Sequence, residues 1–283
     1  MADQLDLIVL GTPPATHYPL AKAALEAGLD VVVDKPFTVC SAEGEELINL
    51  AVKLGRVLTV YQNRRWDGDS LTVKKLLDAG MLGTVTRFEV GMERWAPRIA
   101  KAWKASATPD DGGGVLFDLG THVLDLALRF FGAATVSYAE IRARRPQESA
   151  DDDVFLALRH ESGVLSHVTI NLNSHLHGPR FRILGTEGAF VKFGSDPQEP
   201  YILGGGLPTD PEYGVEPPQT HGTLEANGQR VTVPTERGAY PEFYRILAEK
   251  LDDGGAASAL PSPVDPADSV AVLKLIEQAR TLV

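Results

Sequence analysis

Continuous apolar runs of strand length recur over the first sixty residues. They lie at residues 7–10, 31–33 and 57–61. Between these runs the apolar residues are spaced as on one face of a helix, and Gly28 and Gly55 close the two helical segments. Ser41 is the expected N-cap of the second helix. This alternation predicts parallel strands joined by right-handed crossovers, which is half of a doubly wound sheet.

From about residue 84 the pattern changes to strands separated by short turns. The predicted strands are residues 85–92, 154–159, 164–172, 180–184 and 189–193, and the predicted helices are residues 69–79, 116–131 and 266–282. Hairpin turns are expected at 161–163 and 186–188, a long surface loop at 196–218 and a linker at 252–266. The sequence therefore predicts an α/β chain with a partial doubly wound (Rossmann) domain at 1–62. An α+β domain with a large, mostly antiparallel sheet is expected at 63–283.

Composition narrows the function classes. The 283 residues are 43% hydrophobic, and 38 acidic against 27 basic residues give a net charge of −11, so the electrostatic footprint of a nucleic-acid-binding protein is lacking. No apolar segment approaches 18 residues, which argues against membrane spanning. The single cysteine, Cys40, excludes an internal disulfide and is expected to be a small buried hydrophobe. The cytoplasm is the expected compartment.

Two charged residues, Asp34 and Lys35, follow the apolar run at 31–33 and precede Pro36. Ligands of parallel sheets bind beyond the carboxyl ends of the strands, where these residues fall. Pro36 disfavours helical backbone at Lys35 and stiffens the turn. A lysine held in this way can donate to a substrate hydroxyl and stabilise a developing alkoxide, and partial burial favours its use in proton transfer. The alternative is a surface ion pair between Asp34 and Lys35.

A second polar cluster follows three glycines at 112–114. Asp118 and His122 are four residues apart in the predicted helix 116–131 and therefore share a face, with Asp125 a turn further on. Histidine titrates near neutral pH and can remove the proton of an alcohol, while a nearby carboxylate fixes its orientation. The alternative is a helix N-cap at Asp118 and a helix-face residue without function at His122.

The two motifs together closely resemble the Gfo/Idh/MocA family of nicotinamide-dependent sugar and polyol oxidoreductases. Members carry Glu-Lys-Pro or Asp-Lys-Pro and, later, three glycines followed by Asp-x-Gly-x-His-x-x-Asp. The resemblance runs over almost the whole chain. It includes the segments at 12–17, 62–67 and 263–266, which look most like the branch that contains scyllo-inositol dehydrogenases.

The resemblance implies hydride transfer between NAD or NADP and a secondary hydroxyl or ketone of a sugar or inositol-like polyol. It implies Lys35, Asp118 and His122 as catalytic residues. The cofactor-binding residues that it implies are Thr12, Pro13, His17, Asp34, Lys35, Gln62, Trp103 and Lys104. Lys104 stands where relatives often have arginine, which weakens a bidentate contact, and Tyr240 is a looser match to a tyrosine near the substrate pocket. A homodimer or higher homo-oligomer is expected.

The chain departs from the family at its start. Members begin with a strand and a Gly-x-Gly-x-x-Gly turn that holds the pyrophosphate, then a residue that reads the ribose 2′ position. Met1 precedes what would be the fourth strand, so a half of roughly 60 residues is expected to be missing and dinucleotide binding to be weak. The choice between NAD and NADP stays open. So does a rival interpretation: a non-catalytic remnant that acts in binding or assembly through the exposed edge at 7–10.

A metal site is not expected. His175 and His177 could place two imidazoles on one strand face, but no third ligand stands at a recognisable spacing. A solvated strand end is the preferred interpretation.

Overall fold

The computed structural model describes residues 5–97, 107–145 and 150–283. Three parallel strands form the first sheet, in the order β1 (Leu7–Leu10), β2 (Asp30–Asp34) and β3 (Leu58–Tyr61). The crossovers are α1 (His17–Glu26) and α2 (Ser41–Leu54). The three valines of the central strand β2 are fully buried, so both faces of this strand are covered. The predicted half of a doubly wound sheet is confirmed.

The strands of the larger sheet come mostly from the middle of the chain. They are β4 (Val85–Glu93), β5 (Ala134–Arg142), β6 (Asp153–His160), β7 (Leu165–Asn171), β8 (Phe181–Gly185), β9 (Gly188–Lys192), β10 (Gly222–Ala226) and β11 (Gln229–Val233). Their spatial order is β11, β10, β9, β8, β4, β7, β6, β5. The β4–β7 pair is parallel and the other neighbours are antiparallel, which confirms the predicted mostly antiparallel sheet.

Five helices follow the first sheet in the described part of the chain. They are α3 (Gly68–Asp78), α4 (Thr121–Phe131), α5 (Gln198–Leu203), α6 (Pro241–Asp252) and α7 (Pro266–Arg280). Helix α4 packs against β4 and β7, and α7 packs against α2 and β3 on one side and against α4 and β5 on the other. The last helix therefore joins the two sheets. Among the described residues, none of the helices has the length and apolar character needed to cross a membrane.

Ser41 is the first residue of α2 rather than its N-cap, which stands at Cys40. The cap is supplied from the other end of the chain: the Glu277 carboxylate accepts hydrogen bonds from the Ser41 backbone N–H at 2.6 Å and from its hydroxyl at 2.7 Å. A carboxylate at a helix N-terminus also interacts favourably with the helix dipole. Cys40 itself is half-buried, so it is not the buried hydrophobe that was expected.

Several elements were not predicted. Strand β11 is almost wholly exposed and therefore lacks the apolar alternation that identifies strands. Strand β5 contains a register shift between Val136 and Tyr138, which breaks its alternation. Helix α5 lies inside the predicted loop at 196–218, and α6, which begins at Pro241, was also missed.

Candidate active site

Lys35 lies in the turn after β2, at the carboxyl end of the central strand of the first sheet. Its backbone N–H donates to Asp34 Oδ1 at 2.8 Å. Its ammonium donates to the Asp118 backbone oxygen at 2.6 Å and to Asp118 Oδ1 at 2.9 Å. The side chains of Lys35 and Asp118 are 17% and 30% exposed, so a charged pair is held in place where a small molecule can still reach it. The structure thus brings the two sequence motifs together.

Asp118 lies in a π-helical turn, Leu116–Gly120, where the sequence predicted the start of a regular helix. Such turns form i→i+5 hydrogen bonds and are frequent at functional sites. His122 is the second residue of α4, which follows without a break, and its side chain is 4% exposed. His122 therefore lies four residues beyond the group that Lys35 contacts, on the same helical segment, and is shielded from bulk water.

The glycines before this turn allow close approach of neighbouring groups. A Cβ on Gly112 would lie 2.9 Å from the Pro14 side chain, in the turn after β1. A Cβ on Gly114 would lie 2.3 Å from Asp151 Oδ1, and Gly114 has a φ of 97°, a conformation that favours glycine. The glycine run therefore lets the helical segment sit against both the first sheet and Asp151.

Asp151 holds the start of the helical segment. Its Oδ2 accepts from the Leu116 backbone N–H at 2.7 Å, and its backbone oxygen accepts from Val115 N–H at 2.8 Å. Arg280, near the end of α7, donates to Asp151 Oδ1 at 3.1 Å and lies over the ring of Phe117. Burial raises the pKa of Asp151, while the Leu116 N–H and Arg280 oppose that rise. Asp151 was not predicted as a site residue; its only local signal in the sequence is the acidic run at 151–153.

Asp125 pairs with Arg65, which follows β3. Arg65 Nε donates to Asp125 Oδ2 at 2.8 Å, Arg65 Nη2 to Asp125 Oδ1 at 2.5 Å, and Arg65 Nη2 also to Asp268 Oδ2 at 2.9 Å. Arg65 and Asp125 are 7% and 2% exposed. The last acidic residue of the second motif is therefore a buried structural link between the first sheet and α4.

Tyr240 belongs to a buried polar cluster around Asp67. Its hydroxyl donates to Asp67 Oδ1 at 2.8 Å, and the side chain is 6% exposed. Burial raises the pKa of Asp67 to about 8, Arg64 opposes this rise and Asp69 adds to it. Burial, with Asp67 next, also raises the pKa of Tyr240. These contacts favour a structural role for Tyr240, and its contact with substrate stays a prediction.

The residues expected on the cofactor side lie at the carboxyl ends of the three parallel strands. Thr12 and Pro13 are exposed in the turn after β1, Asp34 is half-buried at the end of β2, and Gln62 directly follows β3. His17, the first residue of α1, is 1% exposed, and both of its ring nitrogens contact backbone oxygens. Trp103 and Lys104 lie outside the described residues.

The Gln62 side chain provides a candidate hydrogen-bond acceptor for a ligand at the carboxyl edge of the first sheet. It is 2% exposed, and within the described part of the chain its Oε1 atom has no hydrogen-bond partner. A buried amide oxygen left unpaired costs free energy, so such an atom marks a place where a ligand donor fits. The carboxamide of a nicotinamide is a donor of this kind. The residues present therefore fit the cofactor that the sequence resemblance implied.

Lys35 lies at the carboxyl end of a parallel strand and contacts Asp118, and His122 follows Asp118 on the same helical segment. This arrangement is typical of an oxidoreductase of the Rossmann type. Residues 1–62 match the model of the oxidoreductase family with an NAD-binding Rossmann fold, and residues 70–191 match the GFO/IDH/MocA C-terminal domain. The chain belongs to the Gfo/Idh/MocA oxidoreductase family.

Relatives match along nearly all of the chain. The oxidoreductase YdgJ of Escherichia coli is 38% identical over 276 residues, which are 96% of this chain and 77% of the relative. The scyllo-inositol 2-dehydrogenase (NADP(+)) IolW of Bacillus subtilis is 32% identical over 280 residues, 97% of this chain and 76% of the relative. The solved structure of the oxidoreductase yvaA of Bacillus subtilis superposes with a TM-score of 0.90 at 30% identity and covers 100% of this chain and 81% of that one.

Proposed function

We propose that the protein transfers a hydride between NAD or NADP and a secondary hydroxyl or ketone of a sugar or cyclic polyol. The observation that carries the proposal is the contact between Lys35 and Asp118, which joins the two motifs at the carboxyl edge of the first sheet. The similarity to IolW, whose name specifies scyllo-inositol and NADP(+), supports an inositol-like substrate.

The three residues divide the chemistry of alcohol oxidation. The Lys35 ammonium binds the substrate oxygen and stabilises the negative charge that grows there as the C–H bond breaks. The His122 imidazole accepts the hydroxyl proton, so that the oxygen becomes a carbonyl. Asp118 fixes the position of the ammonium, because its carboxylate and backbone oxygen both accept hydrogen bonds from it. In the reduction direction the same proton returns from His122.

A bound nicotinamide would accept the hydride from the substrate carbon. In this proposal Thr12, Pro13, Asp34 and Gln62 would hold its ribose and carboxamide, and Gln62 Oε1, which has no partner within the described part of the chain, would accept from the amide. His122 and Gln62 are 4% and 2% exposed, so these two groups are largely kept from water, whereas Lys35 and Asp118 stay partly exposed. Exclusion of water strengthens each electrostatic contact in the site.

Steady-state kinetics test the proposal. The 283-residue chain, and the same chain with any upstream in-frame coding sequence included, are assayed with NAD+ and with NADP+ on scyllo-inositol, myo-inositol and a panel of aldoses. We expect turnover on at least one polyol. We also expect Lys35→Met and His122→Ala each to lower kcat by roughly 10²–10⁴, with dinucleotide affinity within a few-fold, because both groups act in the transition state.

A matched control is His221→Ala, since His221 directly precedes β10, and β9 and β8 separate β10 from the strands that contact α4. This variant should keep wild-type kcat. Near wild-type turnover by His122→Ala on a good substrate would remove His122 as the base. No turnover on any sugar or polyol by either form would overturn the proposed substrate class.

We further propose a homodimer through the face of the larger sheet that α4 leaves uncovered. A shallow cavity of about 320 Å³ on this face is lined by Glu89, Glu93, Phe155, His167 and Thr169, which alternate with buried residues along β4, β6 and β7. Light scattering after gel filtration measures the mass in solution. A strict monomer at high concentration contradicts the dimer, and Phe155→Glu is expected to dissociate it.

A further inference from the structure

His17 joins two turns of the candidate site that are distant in the sequence. The side chain is 1% exposed at the start of α1. Its Nε2 lies 2.8 Å from the backbone oxygen of Thr12, in the turn after β1. Its Nδ1 lies 2.8 Å from the backbone oxygen of Pro36, the residue after Lys35. The imidazole thus bridges the ends of two neighbouring strands.

The chemistry of the two partners is unusual because both are carbonyl oxygens. A carbonyl oxygen only accepts, whereas a neutral imidazole has one N–H donor and one nitrogen lone pair. Both contacts are hydrogen bonds only when both ring nitrogens carry hydrogen, as in the imidazolium. A neutral ring in this place would set a lone pair against a carbonyl oxygen with no water between them.

A second buried histidine shows the contrast. His160 is 2% exposed, and its Nδ1 lies 2.8 Å from the Gly132 backbone oxygen, but its Nε2 lies 2.7 Å from the hydroxyl of Ser166. A hydroxyl can donate, so a neutral imidazole satisfies both contacts of His160. Burial lowers the pKa of His160, in agreement with a neutral ring.

We propose that His17 is a positioning residue that, as a double donor, clamps the Thr12 and Pro36 carbonyls and thereby fixes the backbone that carries Lys35. This inference rests on the proposed function, because it assigns Lys35 the substrate oxygen. Lys35 is then held at three points: Asp34 binds its backbone N–H, Asp118 binds its ammonium, and His17 binds the next carbonyl along the chain. In this proposal His17 acts through the backbone, and this role replaces the cofactor-binding role that the resemblance implied for it.

Nitrogen NMR of the 283-residue chain labelled with ¹⁵N-histidine tests the clamp without any activity. The His17 and His160 signals are assigned from His17→Gln and His160→Gln, each of which loses one set. Near neutral pH we expect both His17 ring nitrogens to show a directly bonded hydrogen, and His160 to show one such nitrogen. An unprotonated ring nitrogen at His17 would overturn the double-donor clamp.

Kinetics then separate positioning from direct cofactor binding. We expect His17→Gln to lower kcat by about 10- to 100-fold with the dinucleotide KM within a few-fold, because a misplaced lysine affects the chemical step. The control is His160→Gln, which replaces a histidine that is about as buried as His17, and it should leave kcat within a few-fold. Circular dichroism at the assay temperature checks that both variants are folded. A raised dinucleotide KM with unchanged kcat would make His17 a cofactor contact instead. Absence of turnover in both wild-type forms, the 283-residue chain and the chain with upstream coding sequence, would refute the proposed function, while the NMR result still decides the state of His17.

Discussion

Two ion pairs anchor the helical segment that carries His122, and they differ in exposure. Lys35–Asp118 stands before α4, with side chains 17% and 30% exposed, whereas Arg65–Asp125 lies within its length and is 7% and 2% exposed. Arg65–Asp125, here called the sealed pair, is bidentate, and Arg65 has a further partner in Asp268. In Lys35–Asp118, here called the open pair, the lysine ammonium is accessible to an incoming molecule.

The difference shows how one short segment serves two purposes. A buried pair that loses one partner leaves an uncompensated charge without water, so it resists change and fixes the helix. A pair that keeps contact with solvent contributes little to stability, but its charge can be redirected to a substrate oxygen. The same motif, Asp-x-Gly-x-His-x-x-Asp, therefore carries a reactive end and a structural end.

Breaking the sealed pair should have the largest effect on stability. Arg65→Met leaves Asp125 buried without its cation, and we expect a loss of about 3–5 kcal/mol in the free energy of unfolding. Urea denaturation followed by circular dichroism measures it. Arg65→Met combined with Asp125→Leu should recover part of the loss. The exposed pair Lys74–Asp78 supplies the control, since Lys74→Met should change stability by less than about 0.5 kcal/mol. Equal losses for Arg65→Met and Lys74→Met would contradict the distinction.

Gly114→Ala disturbs the open pair without removing either charge. The new Cβ would lie 2.3 Å from Asp151 Oδ1, at a φ of 97° that disfavours alanine. We expect a loss of about 1–3 kcal/mol, together with lower kcat, because the turn that presents Asp118 must shift. Gly163→Ala, also at positive φ but with open space around its Cβ, isolates the cost of the backbone conformation. Identical stability losses in the two variants would mean that the contact with Asp151 has no effect.

The stability of the protein should also depend on pH through Asp67, which is buried like the Arg65–Asp125 pair. Burial raises its pKa to about 8, against about 3.9 in an unfolded chain, so the folded state holds a proton that the unfolded state releases. This contribution to stability is complete below about pH 3.9 and is lost as the pH rises through 8. Between pH 5 and 8, the free energy of unfolding of the wild type should therefore fall relative to that of Asp67→Asn. The fall should be at most about 1.4 kcal/mol per pH unit. Denaturation at several pH values measures the difference. Asp78→Asn is the exposed control, and parallel profiles for wild type and Asp67→Asn would refute the raised pKa.

Among the changes at the candidate site, the smallest loss of stability is expected at the Lys35–Asp118 pair itself. Lys35→Met should alter the free energy of unfolding by less than about 1 kcal/mol, because Asp118 can regain water when the lysine is removed. The same denaturation measurement applies, and the loss in turnover proposed for this variant should occur without unfolding. A destabilisation comparable to that of Arg65→Met would show that the lysine has a structural role.

Local patterns predicted most of the elements and placed Lys35 beyond the carboxyl end of a parallel strand, where ligands bind. That Lys35, Asp118 and His122 share one site was implied by the family resemblance and not by the local pattern. Local patterns did not predict the π turn at Leu116–Gly120, since one extra residue in a turn hardly changes apolar spacing. Nor did they predict Arg65–Asp125 or Tyr240–Asp67, whose partners are 60 and 173 residues apart. Pairing over such distances depends on how the sheets pack, and a single sequence carries no local signal for it.

Glu277 caps α2 through a contact that spans 236 residues of sequence. During synthesis on a ribosome, the first sheet emerges long before this carboxylate, so its second helix must wait uncapped while the larger sheet forms. Contacts of such long sequence separation slow folding. The first sheet therefore gains its full set of contacts only after α7 has been made, so a change in α7 can weaken a helix that lies 236 residues away in the sequence.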